Sequence, residues 1–497
     1  MTSPAPRPPV DQPPEPPYVP DPRRWRILAV TLVIGFMALL DVTIVNVALP
    51  SIREGLGASS GAVQWVVSGY ALTFGLTLVT GGRLGDAYGR RTMMLVGLTA
   101  FVASSAAVGL APNEPMVIAA RLVQGAAAGL LTPQNTGIIQ LLFRGAERGR
   151  AFGYFALTVS VSAGLGPVLG GLIIALVGPE YGWRVIFLVN VPIGLAALVI
   201  VARVVPRRTR VEGAARERLD VVGALLLGAA VLAVLFPLIE AMSTVGPTQA
   251  LVLLAPLLLV AFLRWERGLV ARGGAPLLDV ALLRGVRGFS TGLAVGTLYF
   301  AGFTGVALVL SIHLQEGLGY SALATGLLIT PFAVGSAITS APAGRWVSRI
   351  GRRVTVLSLL VVLAGLVSVA VLVPLLDGWA MRVVLAVSML VAGLGGGAVV
   401  SPNFTLTLAE VPPRMGGAAG GAVQTGQRIG SAVGAALTVT AYQVTAVRTG
   451  EPGIGLAAAV GTAVVVIAGA LALAVRDLRY DAERDLSGSD APRPPRG

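Results

Sequence analysis

Cysteine and lysine are absent from this 497-residue chain, histidine occurs once, and charged residues make up only 12% of it. No cysteine means no disulfide, no thiolate nucleophile and no cysteine-ligated metal. A single imidazole leaves no histidine-built metal site, and no cofactor or metal is expected. The low charge is the most informative shortage, because a soluble domain is about a quarter charged. No GxxxxGK[ST] run occurs, so the chain carries no ATP-driven motor of its own.

What is present is apolar sequence, 55% of the residues. Membrane-spanning helices need about 20 mostly apolar residues. Such windows fall near 25–49, 62–82, 92–111, 115–143, 150–177, 183–205, 219–241, 247–265, 289–312, 322–343, 354–375, 380–402, 416–444 and 454–475. Fourteen spans are therefore expected. The 64 glycines fit close helix packing in lipid. The net charge of +13 does not indicate nucleic acid, because the arginines sit in short clusters between apolar runs. Residues 1–22 are proline-rich and read as a disordered tail. They are neither basic nor apolar enough for a signal peptide, so 25–49 is expected to remain as the first span.

An even span number puts both termini on one side. With both in the cytoplasm, 31 of the 37 arginines face it, while Arg53, Arg184, Arg382 and Arg448 face outward. The positive-inside rule accepts that orientation. The other two, Arg121 and Arg428, lie inside expected spans. An internal repeat also emerges. GRLGDAYGRR (Gly82–Arg91) follows the second window and GRWVSRIGRR (Gly344–Arg353) the tenth, 262 residues later. LVQGAAAG in the fourth window is echoed by LVAGLGGG in the twelfth. The expected architecture is thus all-α and polytopic, with two six-helix halves and two extra helices inserted between them. Its parts are a tail at 1–24, a half at 25–205, a linker with two spans at 206–288, a half at 289–475 and a tail at 476–497. Repeated halves around a midplane site are a transporter architecture.

Three stretches carry chemistry. The first span contains a carboxylate, Asp41, in LDVTIVNVALPSI. Such a charge costs about 2.5–3.5 kcal/mol on the insertion scale, so buried ions tend to serve function. Burial disfavours its charged form and a nearby arginine favours it, a balance that permits proton exchange. In GRLGDAYGRR, Asp86 precedes the third window, where a helix N-terminus favours a carboxylate. Arg90 and Arg91 are its nearest charge partners, and Gly82, Gly85 and Gly89 permit a tight turn. The fifth window holds Gly153, Gly164, Gly166, Gly170 and Gly171 around Pro167, which suits close packing and a bend.

These motifs, with RLVQG (Arg121–Gly125) and WRVIFLVNVPIG (Trp183–Gly194), resemble the major facilitator superfamily. The likeness is to its fourteen-span drug:proton antiporter branch, from about Trp25 to Arg476. Ala87 stands where the loop motif usually has a basic residue, and Ser162 where the antiporter motif usually has glycine. The resemblance implies that Arg121 partners Asp41 in proton coupling and that Gly82, Asp86, Gly89, Arg90 and Arg91 form a cytoplasmic gate. It also implies that Gly166, Pro167, Gly170 and Gly171 seal the interface between halves. Candidate cavity residues are Asn46, Gln64, Tyr70, Gln134, Asn135, Gln424 and Arg428, the last a second-half counterpart of Arg121. Glu240 is a possible second acid.

The implied function is proton-coupled export of an amphipathic drug or antibiotic across the inner membrane, not catalysis. Its partners would be a small substrate, protons and the bilayer, without nucleic acid and as a monomer. Export of one endogenous lipid or metabolite, or a non-transporting sensor with the same fold, are the alternatives. The arginine-only, alanine- and glycine-rich composition suggests a GC-rich bacterial genome. A reporter fused at Arg476 should be found in the cytoplasm; activity on the outer side would refute the orientation.

Overall fold

The computed structural model describes residues 19–206, 220–240, 247–286 and 288–486. These are almost wholly helical, with no strand among them. A first group comprises α1 (Arg24–Leu56), α2 (Ser60–Tyr88), α3 (Arg90–Gly109), α4 (Glu114–Leu142), α5 (Gly145–Val177), α6 (Pro179–Leu188) and α7 (Asn190–Val204). Then come α8 (Val221–Glu240), α9 (Leu254–Ala271) and the short α10 (Ala281–Gly285). The second group is α11 (Phe289–Ile312), α12 (Ala322–Ile350), α13 (Arg353–Leu372), α14 (Gly378–Thr407), α15 (Gly416–Thr449) and α16 (Pro452–Leu486).

Thirteen helical segments among the described residues are long and apolar enough to cross a membrane. The expected window at 416–444 is the one that does not qualify, although it folds as a 34-residue helix. Its glycine, alanine, glutamine and threonine face other helices: nearly every residue from Gly416 to Gln427 is buried. A helix clothed in protein does not need an apolar surface for lipid. The window at 183–205 is two helices rather than one, α6 and α7. Pro192 lacks the N–H that would continue the ladder from Leu188. At the C-terminus, α16 runs to Leu486, past residue 475 where the tail was expected to begin. Arg352 ties it to α13 through Asp477. Residues 1–18, 207–219 and 487–497 lie outside the described set.

Each group has its own core. Ile34, Met37, Tyr70, Phe74, Leu98, Phe101 and Leu131 pack together in the first. Tyr299, Leu310, Leu359, Leu366, Met389 and Ile467 do so in the second. A third cluster joins the groups: Phe404 of α14 stacks on Phe152 at 5.6 Å and meets Phe155 edge-on at 5.5 Å. Of the helices between the groups, α8 packs on α2 and α9 packs on α8. Leu235 of α8 sits over Gly75, and the Trp65 and Phe236 rings are 5.9 Å apart. Asp220 caps α8 by accepting from the Gly223 amide at 2.9 Å.

Small residues set the closest approach between groups. A Cβ on Gly149 or Gly344 would strike the other residue's carbonyl, and one on Gly153 would crowd Ala341, so α5 and α12 meet backbone to backbone. Further along the same seam, Ser160 Oγ lies 2.7 Å from Ser336 Oγ and 3.2 Å from Ser340 Oγ. Because the natural chain has no cysteine, this seam can be tested directly. Ser160→Cys/Ser336→Cys should crosslink nearly completely under mild oxidant, shown by joined fragments after cleavage of an engineered site between α9 and α10. A pair of equal spacing on the outer faces of the same helices should stay open. No crosslink would place the two helices elsewhere.

Candidate functional site

Asp41, on α1, is completely buried, and its two oxygens are met by three side chains from two other helices. Arg121 Nη1 of α4 donates to Oδ2. Gln124 Nε2, one turn further along α4, donates to Oδ1 at 3.1 Å, as does Asn190 Nδ2 of α7, also at 3.1 Å. Arg121 is in turn held by Val66 of α2, whose carbonyl accepts from Nε at 2.9 Å, and by Gln124 Oε1 at 2.8 Å. Gln124 Nε2 also reaches Ser105 Oγ of α3 at 2.7 Å. Five helices thus converge on one carboxylate, and the guanidinium fork is engaged on more than one edge.

Aromatic faces complete the enclosure. The Arg121 guanidinium stands over the Tyr70 ring at 4.1 Å, and the Phe187 ring lies 5.4 Å away. Tyr70 Oη donates to the Ala38 carbonyl at 3.0 Å. One turn along α2, the Phe74 ring is 5.9 Å from Tyr70 and carries Arg428 of α15 over its face at 4.5 Å. The two arginines inside the spans are therefore joined by two rings on one helix. Arg428 borders a cavity between the groups, of about 50 Å³, with Leu39, Thr132, Phe155, Phe404 and Gln424 in its wall.

At the end of the bundle expected to face the cytoplasm, Asp86 lies in the last turn of α2. It accepts from the Gly417 amide at 3.1 Å and the Ala418 amide at 2.9 Å. It therefore caps α15 of the second group, rather than α3 as its sequence position suggested. The chain reverses at Gly89, whose φ of 97° suits glycine, and this turn leaves Asp86 facing across the groups. Arg90 Nη2 bridges Asp86 Oδ1 at 2.9 Å and the Pro413 carbonyl at 2.8 Å. A Cβ on Gly82 would overlap the Gly417 backbone. Gln140 and Arg148 add hydrogen bonds to the carbonyls of Leu408 (2.7 Å) and Ala409 (3.1 Å). Arg91 does not join this cluster; it donates to the Ala202 carbonyl at the end of α7.

Other expected positions are distributed differently. Gln134 does not line the cavity: its amide donates to the carbonyls of Gly81 (2.9 Å) and Leu130 (2.8 Å), stitching α4 to α2. Asn135 is buried against Gly35 of α1, and Tyr70 is occupied by Arg121 and Ala38. Polar side chains at these positions serve helix packing because the small residues opposite leave them no room to turn. Gly166 packs on Thr43 of α1, not on the second group, while Gly171 has no neighbour at Cβ distance. The seam between groups uses the earlier glycines of α5. Gln424 and Arg428 do line the cavity. The side chains of Asn46, Gln64 and Glu240 lie outside the described residues.

Gln124, Asn190 and Ser105 are the site residues that sequence reasoning passed over. Two had a signal: Gln124 sits one turn after Arg121 in RLVQG, and Asn190 is the one amide in an apolar run. Ser105 had none.

The sequence matches the model of the Major Facilitator Superfamily over residues 31–435 and again over 292–496. It is 37% identical over 435 residues to the "Probable actinorhodin transporter" of Streptomyces coelicolor, covering 86% of this chain and 73% of the relative. It is also 37% identical over 428 residues to "Puromycin resistance protein pur8" of Streptomyces alboniger, covering 85% and 82%. The fold resembles the solved proton:xylose symporter XylE, with a TM-score of 0.63 and 16% identity over 90% of this chain and 94% of that one.

A buried ion pair costs far more to halve than to remove. Arg121→Met should therefore destabilise the purified protein by about 3–5 kcal/mol, read as a lower melting midpoint. Adding Asp41→Leu should recover most of that loss. If the double variant melts no higher than the single one, the two side chains are not energetically coupled.

Proposed function

The chain belongs to the Major Facilitator Superfamily, and on that premise we propose that it is a proton-coupled exporter of amphipathic drugs or an antibiotic. It would work by alternating access in the bacterial cytoplasmic membrane as a monomer, with α1–α7 and α11–α16 as the moving halves. The family moves small molecules and performs no chemistry on them. The observation that carries the proton-coupling reading is Asp41: a carboxylate with no solvent exposure, held by Arg121, Gln124 and Asn190.

In this reading a proton arriving on Asp41 removes the charge that Arg121 faces. The guanidinium then loses its main partner while Val66 and Gln124 still hold it, so its hold on α1 weakens as its hold on α2 persists. Losing a buried charge-assisted contact is worth a few kcal/mol, enough to shift a balance between two packings. Tyr70 and Phe74 extend the contact from Arg121 to Arg428 at the cavity. The Asp86 cap on α15 and the Arg90 bridge to Pro413 hold the cytoplasmic end shut in this arrangement, and export requires that they part. The similarity to an actinorhodin transporter and a puromycin resistance protein supports the choice of antibiotics or drugs as cargo.

An amide cannot exchange a proton, so Asp41→Asn should insert normally yet abolish drug-stimulated proton release. Everted membrane vesicles given a pH jump would report it through a dye and a pH indicator together. Near-normal coupled efflux from this variant would remove Asp41 from the proton path.

A further inference from the structure

Arg121 has a carboxylate; Arg428 does not. Among the described residues no acid and no hydrogen-bond acceptor is paired with the Arg428 guanidinium, which rests on the Phe74 ring and borders the cavity between the groups. Tyr70, beside Phe74, offers it no acceptor, because its hydroxyl is already donating to Ala38. One turn before Arg428 on α15, Gln424 lines the same cavity. It is 6% exposed, and its amide nitrogen is buried with no hydrogen-bond partner. Two donors spaced i and i+4 on one helix face therefore border one space, and neither is hydrogen-bonded to an acceptor among the described residues. Buried donors are almost always satisfied, and an exception calls for a missing partner.

The chemistry of that partner follows from the lining. Arginine has only donors and keeps its charge, so the partner must accept hydrogen bonds and carry negative charge. Phe155, Phe300, Phe404, Leu39, Val159 and Val400 form the apolar part of the wall, which suits a flat apolar body, and Thr132, Gln427 and Ser431 complete it. A space of about 50 Å³ holds about one or two waters, room for an acidic head group while the halves are together. The remainder of a drug-sized molecule would enter as they part.

We infer that Arg428 and Gln424 form an anion-binding subsite, and that the preferred cargo is an aromatic or polycyclic compound bearing a carboxylate or similarly ionised oxygen. This rests on the exporter reading above and narrows it. A cationic drug would meet Arg428 across the cavity and be repelled, and a neutral one could pair the donors but would leave the Arg428 charge without a counter-charge.

Fluorescein and rhodamine 6G test this, since they share a xanthene ring system and differ in charge sign. Binding to the purified full-length protein would be followed by anisotropy at one fixed pH. The wild type should bind the anionic dye more tightly. Arg428→Ala should weaken fluorescein about 10- to 100-fold, the range of a lost charge-assisted contact, and Arg428→Lys should lie between. Arg428→Glu should invert the order of the two dyes, a result that misfolding cannot produce; unchanged melting midpoints check the fold. Equal fluorescein binding by wild type and Arg428→Ala, a wild type that favours rhodamine 6G, or one that binds neither dye would overturn the subsite. Proton-driven efflux of both dyes is measured alongside. Rhodamine export without fluorescein binding sinks the subsite and leaves the exporter reading. Fluorescein binding without gradient-driven movement does the reverse.

Discussion

A carboxylate sealed from water has to be answered by donors from the protein, and the positions of those donors then dictate how the surrounding helices pack. Asp41 draws on α4 and α7 directly and on α2 and α3 through Arg121 and Gln124. None of these contacts can be shifted without leaving a buried polar group unpaired, at a cost of about 1–3 kcal/mol each. The first group of helices is therefore braced from inside, around a single charge. Among the described residues the second group has no fully buried ion pair to match it. The repeat evident in the chain has diverged in function, with the ionic site in one copy and an unpaired cation, Arg428, in the other.

The joint between the groups follows different physics. Backbone touches backbone at Gly149 and Gly344, and at Gly82 and Gly417, while short hydroxyls line the rest of the α5–α12 seam. At those points the helices hold by close backbone contact rather than by interdigitated side chains, while Phe152, Phe155 and Phe404 add an aromatic contact between the groups. What locks them is electrostatic and confined to one end, where Asp86 meets the amides opening α15. A carboxylate on a helix N-terminus is attracted both by the free N–H groups and by the aligned backbone dipoles.

Hydropathy made most of the helices legible and exposed Asp41 as a carboxylate within a span, while RLVQG and GRLGDAYGRR led to Arg121 and Asp86. The Asp41–Arg121 pairing itself came from a family resemblance, not from spacing, since the two lie 80 residues apart. Sequence failed where the deciding factor was a neighbour from a distant part of the chain. Asp86 looked like the start of α3 because the chain continues there, yet its partner is 331 residues away at Gly417. Gln134 and Arg428 look equally polar in sequence. One is consumed by carbonyls of its own group, and the other faces an opening. An apolar span was expected at 416–444, yet the helix there, Gly416–Thr449, does not meet the hydropathy of a span, because its first turns are buried in protein.

One rod, α2, touches everything that matters. Val66 receives Arg121, Tyr70 and Phe74 carry the two guanidinium groups, and Asp86 closes the far end. It is seated along α4, where Gly125 and Gly129 leave space for nothing larger than the backbone of Tyr70 and Phe74 and the Thr77 hydroxyl. From Val66 to Asp86 is 20 residues, about 30 Å of helix. A rigid tilt of about 2° at the Val66 end then displaces Asp86 by about 1 Å, more than its hydrogen bonds to Gly417 and Ala418 can stretch. The helix is thus a lever with a long output arm, and a tilt too small to disturb the packing around Asp41 is large enough to break the Asp86 contacts to α15.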